Sequence, residues 1–190
     1  MDKRTRILMA ALKVFSRRGF HQVKVEEIAQ EAEIGKGTIY EYFESKEDIF
    51  HQIYRLSSER YTSVFQEMQT QGTDLWDKIK ILSLKHIEFF QTHKDMSAFV
   101  LDGQSRPLES LNEWLMEQKE QRQELVREML AQAVENGEIR KVDPDLASRM
   151  VMGLIFSVFG GMIFMEGTVP EEKTVEGMLD ILKKGLIYKN

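Results

Sequence analysis

Eight consecutive residues, Gly35 to Tyr42 (GKGTIYEY), carry the side chains with the clearest chemical use in the chain. Lys36 brings a cation and Thr38, Tyr40 and Tyr42 bring hydroxyls, groups that suit phosphate oxygens. Gly37 permits close backbone approach, and Gly35 as a helix cap leaves backbone amides that favour a phosphate at the helix N-terminus. Ile39 and Phe43 already supply an inward face, so Tyr40 is expected to point outward toward a phosphate or a thymine methyl. Glu41 is expected to be solvated, cytosine N4 being the base group it would suit. A set of this kind reads nucleic acid, provided that a rigid frame presents it.

The frame is legible on either side. Val25, Ile28, Ala29 and Ala32 recur at three and four residues, Glu33, Ile34 and Gly35 interrupt them, and Ile39, Tyr42 and Phe43 resume. The spacing predicts a helix, a sharp turn and a second helix from Lys36 to Tyr42. Ala29 is small where the helices cross, and Ile28, Ile34, Ile39 and Phe43 fill the wedge between them. This is a helix-turn-helix, which offers its second helix to a DNA major groove.

The run GKGTIYEYFESKEDIF, about ten residues after an alanine-containing first helix, resembles the DNA-binding domain of TetR-family transcriptional repressors. The resemblance is close over roughly the first fifty residues, and beyond them it extends only to length and helical layout. It implies a homodimer on double-stranded operator DNA, released by a small-molecule ligand, and it implies a phosphate contact for Lys46. Two positions depart from the family pattern. Lys24 stands where a threonine or serine usually caps the first motif helix, removing a side-chain acceptor worth about 1 kcal/mol. Glu33 replaces the usual turn glycine, and a left-handed residue other than glycine costs roughly 1 to 2 kcal/mol.

Charge is distributed unevenly. The net charge is -5, yet residues 1–25 hold seven cations against Asp2 alone, and residues 26–50 hold Lys36 and Lys46 against eight carboxylates. The DNA-binding region is therefore neutral, and its phosphate grip is expected from placed cations: Lys3, Arg4 and Arg6 in an N-terminal arm, with Lys24, Lys36 and Lys46 around the motif. Ile7, Leu8, Ala11, Leu12 and Phe15 form the stripe of a bracing first helix. Gly19 is expected at its end in the left-handed conformation, with Phe20 packing back on Phe15.

Ser45, with Asp48 three residues on, caps a further helix through Ile49, Ile53, Leu56, Tyr61, Phe65 and Met68, about 25 residues and roughly 37 Å long. The next helix, Leu75 to about Thr92, places His86 on an inward face with Phe89 and Phe90. A lone histidine among apolar neighbours favours a hydrogen-bonded core residue over a ligand contact. A short helix is expected near Met96 to Leu101. In the helix from Leu108 to Asn136, Gln118 and Arg122 fall on the inward stripe of Leu111, Trp114, Leu115, Leu125, Met129 and Ala133. Either the helix crosses solvent there, which the polar run Glu117 to Glu124 favours, or the two line the polar end of a pocket walled by Phe89, Phe90, Phe99 and Trp114. In the second case Arg122 suits an anionic head group.

Asp143 and Pro144 open an apolar helix, about 144–166, in which Gly153, Ser157 and Gly161 form a small-residue ridge. With a last helix, about 171–187, through Val175, Met178, Leu179, Leu182 and Leu186, it is expected to form a two-fold four-helix dimer interface rather than an internal core; Gly153, Ser157, Gly161, Leu179 and Leu182 are its candidate residues. Two half-sites about 34 to 36 Å apart require such a pair.

The totals agree with this reading. The 190 residues contain three prolines, no cysteine and 42% hydrophobic residues, favouring an all-α chain of about nine helices without disulfides or thiolate chemistry. Lys13, Arg17 and Arg18 come too early for a secretory apolar core, and no apolar run is expected to reach the roughly 18 residues of a membrane span. A soluble cytoplasmic protein without a membrane partner is expected. Paired catalytic carboxylates, a nucleophile with its base, a glycine-rich phosphate loop and metal-pair spacing are not found, so no enzyme, cofactor or metal is expected. The organisation expected is DNA binding in residues 1–46, with ligand sensing and dimerisation in 47–190. The effector would be small and apolar or amphipathic, a lipophilic drug or a fatty acyl compound. An all-α lipid or small-molecule carrier without specific DNA binding is the alternative; it leaves Lys36 to Tyr42 unexplained.

Overall fold

The structure, a computed structural model, describes residues 2–92, 109–165, 167, 168 and 170–186. Among the described residues there are eight α-helices and no strand: α1 (Lys3–Arg18), α2 (Val25–Glu31), α3 (Lys36–Tyr42), α4 (Lys46–Gln71), α5 (Leu75–Thr92), α6 (Glu109–Glu135), α7 (Pro144–Ile155) and α8 (Glu172–Leu186). The all-α class is as expected. The short helix expected near Met96, together with Phe99, lies outside the described residues.

The chain divides into two compact units, Met1–Glu59 with His93–Leu115 and Arg60–Thr92 with Met116–Asn190. In the first, Ile7, Phe15, Ile28, Ile39, Ile49 and Phe50 are completely buried. The core of the second gathers Phe65, Ile79, Leu82, Val126, Leu130, Phe159 and Val175. Helices α4 and α6 each contribute residues to both units.

Three expectations in the first unit change. Lys3, Arg4 and Arg6 do not form an arm, because Asp2 accepts a 2.8 Å hydrogen bond from the Thr5 N–H and starts α1 at Lys3. Arg4 instead donates to Gln52 and lies over the Phe43 ring, 5.4 Å from its centroid. Gly19 has φ 75° but ψ 152°, so α1 does not end in the left-handed conformation. That combination is open essentially to glycine alone. Phe20 still packs on Phe15, with ring centroids 5.5 Å apart. Ser45 Oγ accepts from the Asp48 N–H as expected, but Asp48 reaches back to the Glu44 N–H rather than to that of Ser45.

Two further expectations change in the second unit. Leu179 and Leu182 are each 7% exposed and belong to their own unit's core together with Val175 and Met178. Helix α8 lies along α5, tied by Lys80 to Glu172 at 2.8 Å and by Lys183 over Trp76. Its apolar stripe is consumed by that packing. The second change concerns length: α7 runs on as a π-helix over Phe156–Met165, and Pro144–Ile163 has a mean hydropathy of 1.7 over enough residues to match a membrane span. Only 33% of that window is buried in the unit, and its first turns carry the Asp145–Arg149 ion pair. The helix thus has one face in the core and an apolar face outside it.

Candidate nucleic-acid interface and effector site

Helix α2 starts at Lys24, which supplies no side-chain acceptor. Glu27 makes the reciprocal contact alone, accepting from the Lys24 N–H at 3.0 Å. At the other end Glu33 adopts φ 53°, the left-handed region, as its place in the turn predicted. The Glu33 N–H donates to the Gln30 carbonyl at 3.1 Å and the Ile34 N–H to that of Ala29 at 3.0 Å, the paired bonds of a Schellman end with glutamate in the glycine position. Ile34 is thereby turned onto the core, and α3 begins two residues later at Lys36.

On α3 the inward Ile39 is completely buried, whereas Tyr40 and Tyr42 are 49% and 40% exposed. Gly35 caps the helix in an extended conformation with no side-chain hydrogen bond. A Cβ added at Gly35 or Gly37 would meet nothing within 4 Å, so the chain's own packing requires neither glycine. Gly37 inside a helix costs about 1 kcal/mol against alanine. An arriving partner surface is what would make use of the missing side chains.

Part of the opposed charge of the first fifty residues pairs within the unit. Glu26 accepts from Lys36 at 2.7 Å, Glu27 pairs with Arg18, and Glu31 pairs with Lys13 and lies 3.9 Å from Arg17. The bond from Lys36 holds the Glu26 carboxyl below its ordinary range and raises the Lys36 ammonium; Lys13 acts likewise on Glu31. A cleft of about 500 Å³ between α1 and α2 is lined by four of these paired groups, Arg17, Arg18, Glu27 and Glu31. Lys46 is less available than its sequence position implies. Its ammonium donates to the Phe20 and Val23 carbonyls, both at 3.0 Å, and lies over the Phe20 ring. Lys24 is exposed and Thr38 half-buried.

In the second unit His86 is fully buried. Its Nδ1 lies 2.8 Å from the Tyr61 hydroxyl, its Nε2 has no partner, and its ring is flanked by Phe90, Phe156 and Phe159 at centroid distances of 4.4, 6.2 and 6.4 Å. Burial pushes the imidazole pKa down to about 3, so the ring is neutral. Phe89 and Phe90 join the same aromatic cluster through Tyr61. Arg122 comes to it as well: its guanidinium is 5.2 Å from the Tyr61 ring centroid and donates to Thr62 at 3.2 Å. Trp114 does not, because it packs in the first unit's core and lies under Arg55. Gln118 is half-buried and donates to Gln121. Helical periodicity placed these α6 residues on one inward stripe but could not say that the stripe serves two cores. Helical spacing marks Tyr61 only as a core position, although a buried histidine demands a polar partner, and one hydroxyl on α4 supplies it.

The outer face of α7 and of the π-helical turn that follows it carries exposed Gly153 and Ser157 together with exposed Leu146 (59%), Met150 (57%) and Phe156 (45%), and Ile181 on α8 is 69% exposed. Gly161 is half-buried, and a Cβ at Gly153 or Gly161 would meet nothing within 4 Å. The spacing of Leu146, Met150, Gly153 and Ser157 is a single helical stripe. Its larger members share the helical spacing of the small-residue ridge.

A helix-turn-helix with a bare, hydroxyl-bearing second helix, carried on an otherwise helical chain, defines a DNA-binding regulator rather than an enzyme. Residues 7–53 match the bacterial regulatory proteins of the tetR family, and residues 72–160 match the tetracyclin repressor-like C-terminal domain. The chain is 30% identical over 158 residues to the HTH-type transcriptional regulator UidR of Escherichia coli K12, covering 82% of this chain and 79% of UidR. It is 26% identical over 155 residues to the fatty acid metabolism regulator protein of Bacillus subtilis, covering 80% and 79%. The crystal structure of FadR from Bacillus subtilis in complex with stearoyl-CoA superimposes with a TM-score of 0.76 at 23% identity, covering 94% of this chain and 96% of that one. The chain belongs to the TetR family of bacterial transcriptional regulators.

Proposed function

We propose that the protein is a homodimeric, ligand-responsive repressor: residues 1–46 bind double-stranded operator DNA, and residues 47–190 bind a small apolar or amphipathic effector and dimerise. The observation that carries the DNA assignment is α3 itself, with Tyr40 and Tyr42 exposed and Gly35 and Gly37 open to an approaching backbone. Lys36 grips phosphate after leaving Glu26, and Thr38 and Lys24 assist. Lys46 closes the Phe20–Val23 turn with two N–H bonds and offers its third to phosphate.

Duplication of the reader rests on the exposed stripe Leu146, Met150, Gly153 and Ser157, with Phe156 and Ile181 beside it and Gly161 at its edge. A partner helix suits this stripe better than a bilayer, because a DNA regulator works on DNA in the cytoplasm and the same helix carries Asp145 and Arg149. The effector reading is supported by His86, Phe89, Phe90 and Arg122, and by the stearoyl-CoA held by the Bacillus subtilis FadR. A fatty acyl compound carries both the chain that this aromatic cluster solvates and an anionic end for Arg122. Helix α4, with residues in both units, connects effector binding to α3; a coupling of about 1 to 3 kcal/mol would release the operator.

The test is fluorescence anisotropy with duplexes from the gene's own upstream region, using the full chain and its Tyr40→Ala and Lys36→Ala variants. Tight, sequence-selective binding that falls roughly tenfold or more in Tyr40→Ala is expected. Weak binding, equal for all duplexes and all variants, would replace the repressor by the carrier.

A further inference from the structure

The hydrogen bond between Tyr61 and His86 decides which nitrogen of the buried imidazole carries the proton. If Nδ1–H donated to the phenol, the phenol's own proton and the Nε2 lone pair would both be left without partners. If the phenol donates to Nδ1, only Nε2–H is left over, one unmet group in place of two. The proton therefore belongs on Nε2, and what remains is one unpaired, fully buried N–H donor.

Native interiors rarely leave such a donor unused, and its surroundings restrict what can satisfy it. The flanking rings are Phe90, Phe156 and Phe159. A carboxylate against a neutral imidazole in this setting would lose its hydration without gaining a counter-charge. A hydroxyl would bring a second proton that itself needs an acceptor. A carbonyl oxygen accepts and brings no proton. The rings Phe156 and Phe159 stand on the π-helical segment that follows α7, a wound-out backbone of a kind frequent at functional sites.

Resting on the reading of the second unit as the effector-binding unit, we infer that the Nε2–H of His86 recognises a neutral carbonyl oxygen of the effector, that of a thioester or ester, within the Phe90, Phe156 and Phe159 cluster. Of the two effector classes, this selects the acyl compound over a lipophilic drug without a carbonyl. The ligand's anionic end then falls to Arg122, beyond the Tyr61 ring.

The full-length protein is titrated calorimetrically with stearoyl-CoA and with its thioether analogue, in which a methylene replaces the thioester carbonyl. The wild type is expected to bind stearoyl-CoA about tenfold more tightly than the thioether. His86→Phe should bring the two within about twofold, and His86→Gln, which keeps an amide donor at the depth of Nε2, should retain part of the preference. Equal binding of both ligands by the wild type overturns the inference while leaving the acyl reading intact, and so does a preference that persists in His86→Phe. Binding of neither ligand overturns the acyl reading and this inference with it. The wild-type comparison requires no variant to fold.

Discussion

Tyr61 Oη and His86 Nδ1 are joined by a 2.8 Å hydrogen bond in which burial drives both partners toward their neutral forms, the phenol upward and the imidazole down to about 3. Tyr61→Phe removes the donor and leaves Nδ1 as a second orphan beside Nε2. A loss of about 1 to 3 kcal/mol in unfolding free energy at neutral pH is expected, measured by urea denaturation. A variant as stable as the wild type would show that the bond contributes nothing.

The same histidine makes stability depend on pH with a definite sign. Unfolded, the imidazole takes up a proton below its ordinary 6.5; folded, it resists until about 3. Its contribution is complete above pH 6.5 and is lost as pH falls through that window, because the unfolded state binds more protons there. Tyr61 stays neutral across the window and Arg122 stays cationic. Between pH 6.5 and 3 the wild type should lose roughly 4 kcal/mol more than His86→Gln. Parallel pH profiles for the two proteins would contradict this.

Lys36 and Glu26 form an exposed pair, at 49% and 59% side-chain exposure, and DNA competes with Glu26 for the ammonium. Glu26→Gln should leave the melting temperature nearly unchanged and tighten operator binding by roughly threefold to tenfold. Lys36→Ala should weaken binding and reduce the slope of log K against log salt by about one. An unchanged slope would remove Lys36 from the phosphate contacts.

Glu33 holds φ 53° at the end of α2. Glu33→Gly relieves the left-handed strain, partly offset by the freer unfolded chain, for a net gain of about 1 kcal/mol. Chemical denaturation followed by helix signal measures it. Because a carboxylate also leaves the turn before α3, operator affinity should rise as well. A destabilised variant would mean that the Glu33 side chain has a structural role of its own.

Met150, 57% exposed on α7, tests the dimer. Met150→Glu should yield a folded monomer by light scattering, with operator affinity down by roughly a hundredfold or more as one half-site is lost. A variant that remains dimeric would move the interface away from this stripe.

Some of this was already written in residue types. Ile28, Ala29, Ile39 and Phe43 at helical spacing around a polar turn sufficed for the helix-turn-helix, because local periodicity and turn chemistry act over a few residues. Glu33 in the left-handed region, Asp143 as a cap and His86 as a buried, hydrogen-bonded residue followed from the same local rules. Where an element met its partner, the local rules ran out. Leu179 and Leu182 read as an apolar stripe whichever body covers it, and only packing against α5 showed that their own unit does so. Trp114 and Arg122 lie on one helix, yet the first joins the core of α1 to α4 and the second joins Tyr61.

Residue types at short range account for the helices, the reader Gly35 to Tyr42 and the neutrality of its surroundings, since those properties belong to short stretches and to sums. Which charges cancel and which groups are left over depends on long-range packing. Lys36 is engaged by Glu26, Lys46 by the Phe20 and Val23 carbonyls, and His86 Nε2 by nothing in the described chain. These are outcomes of distance and burial between residues far apart in the chain, and no spacing rule contains them.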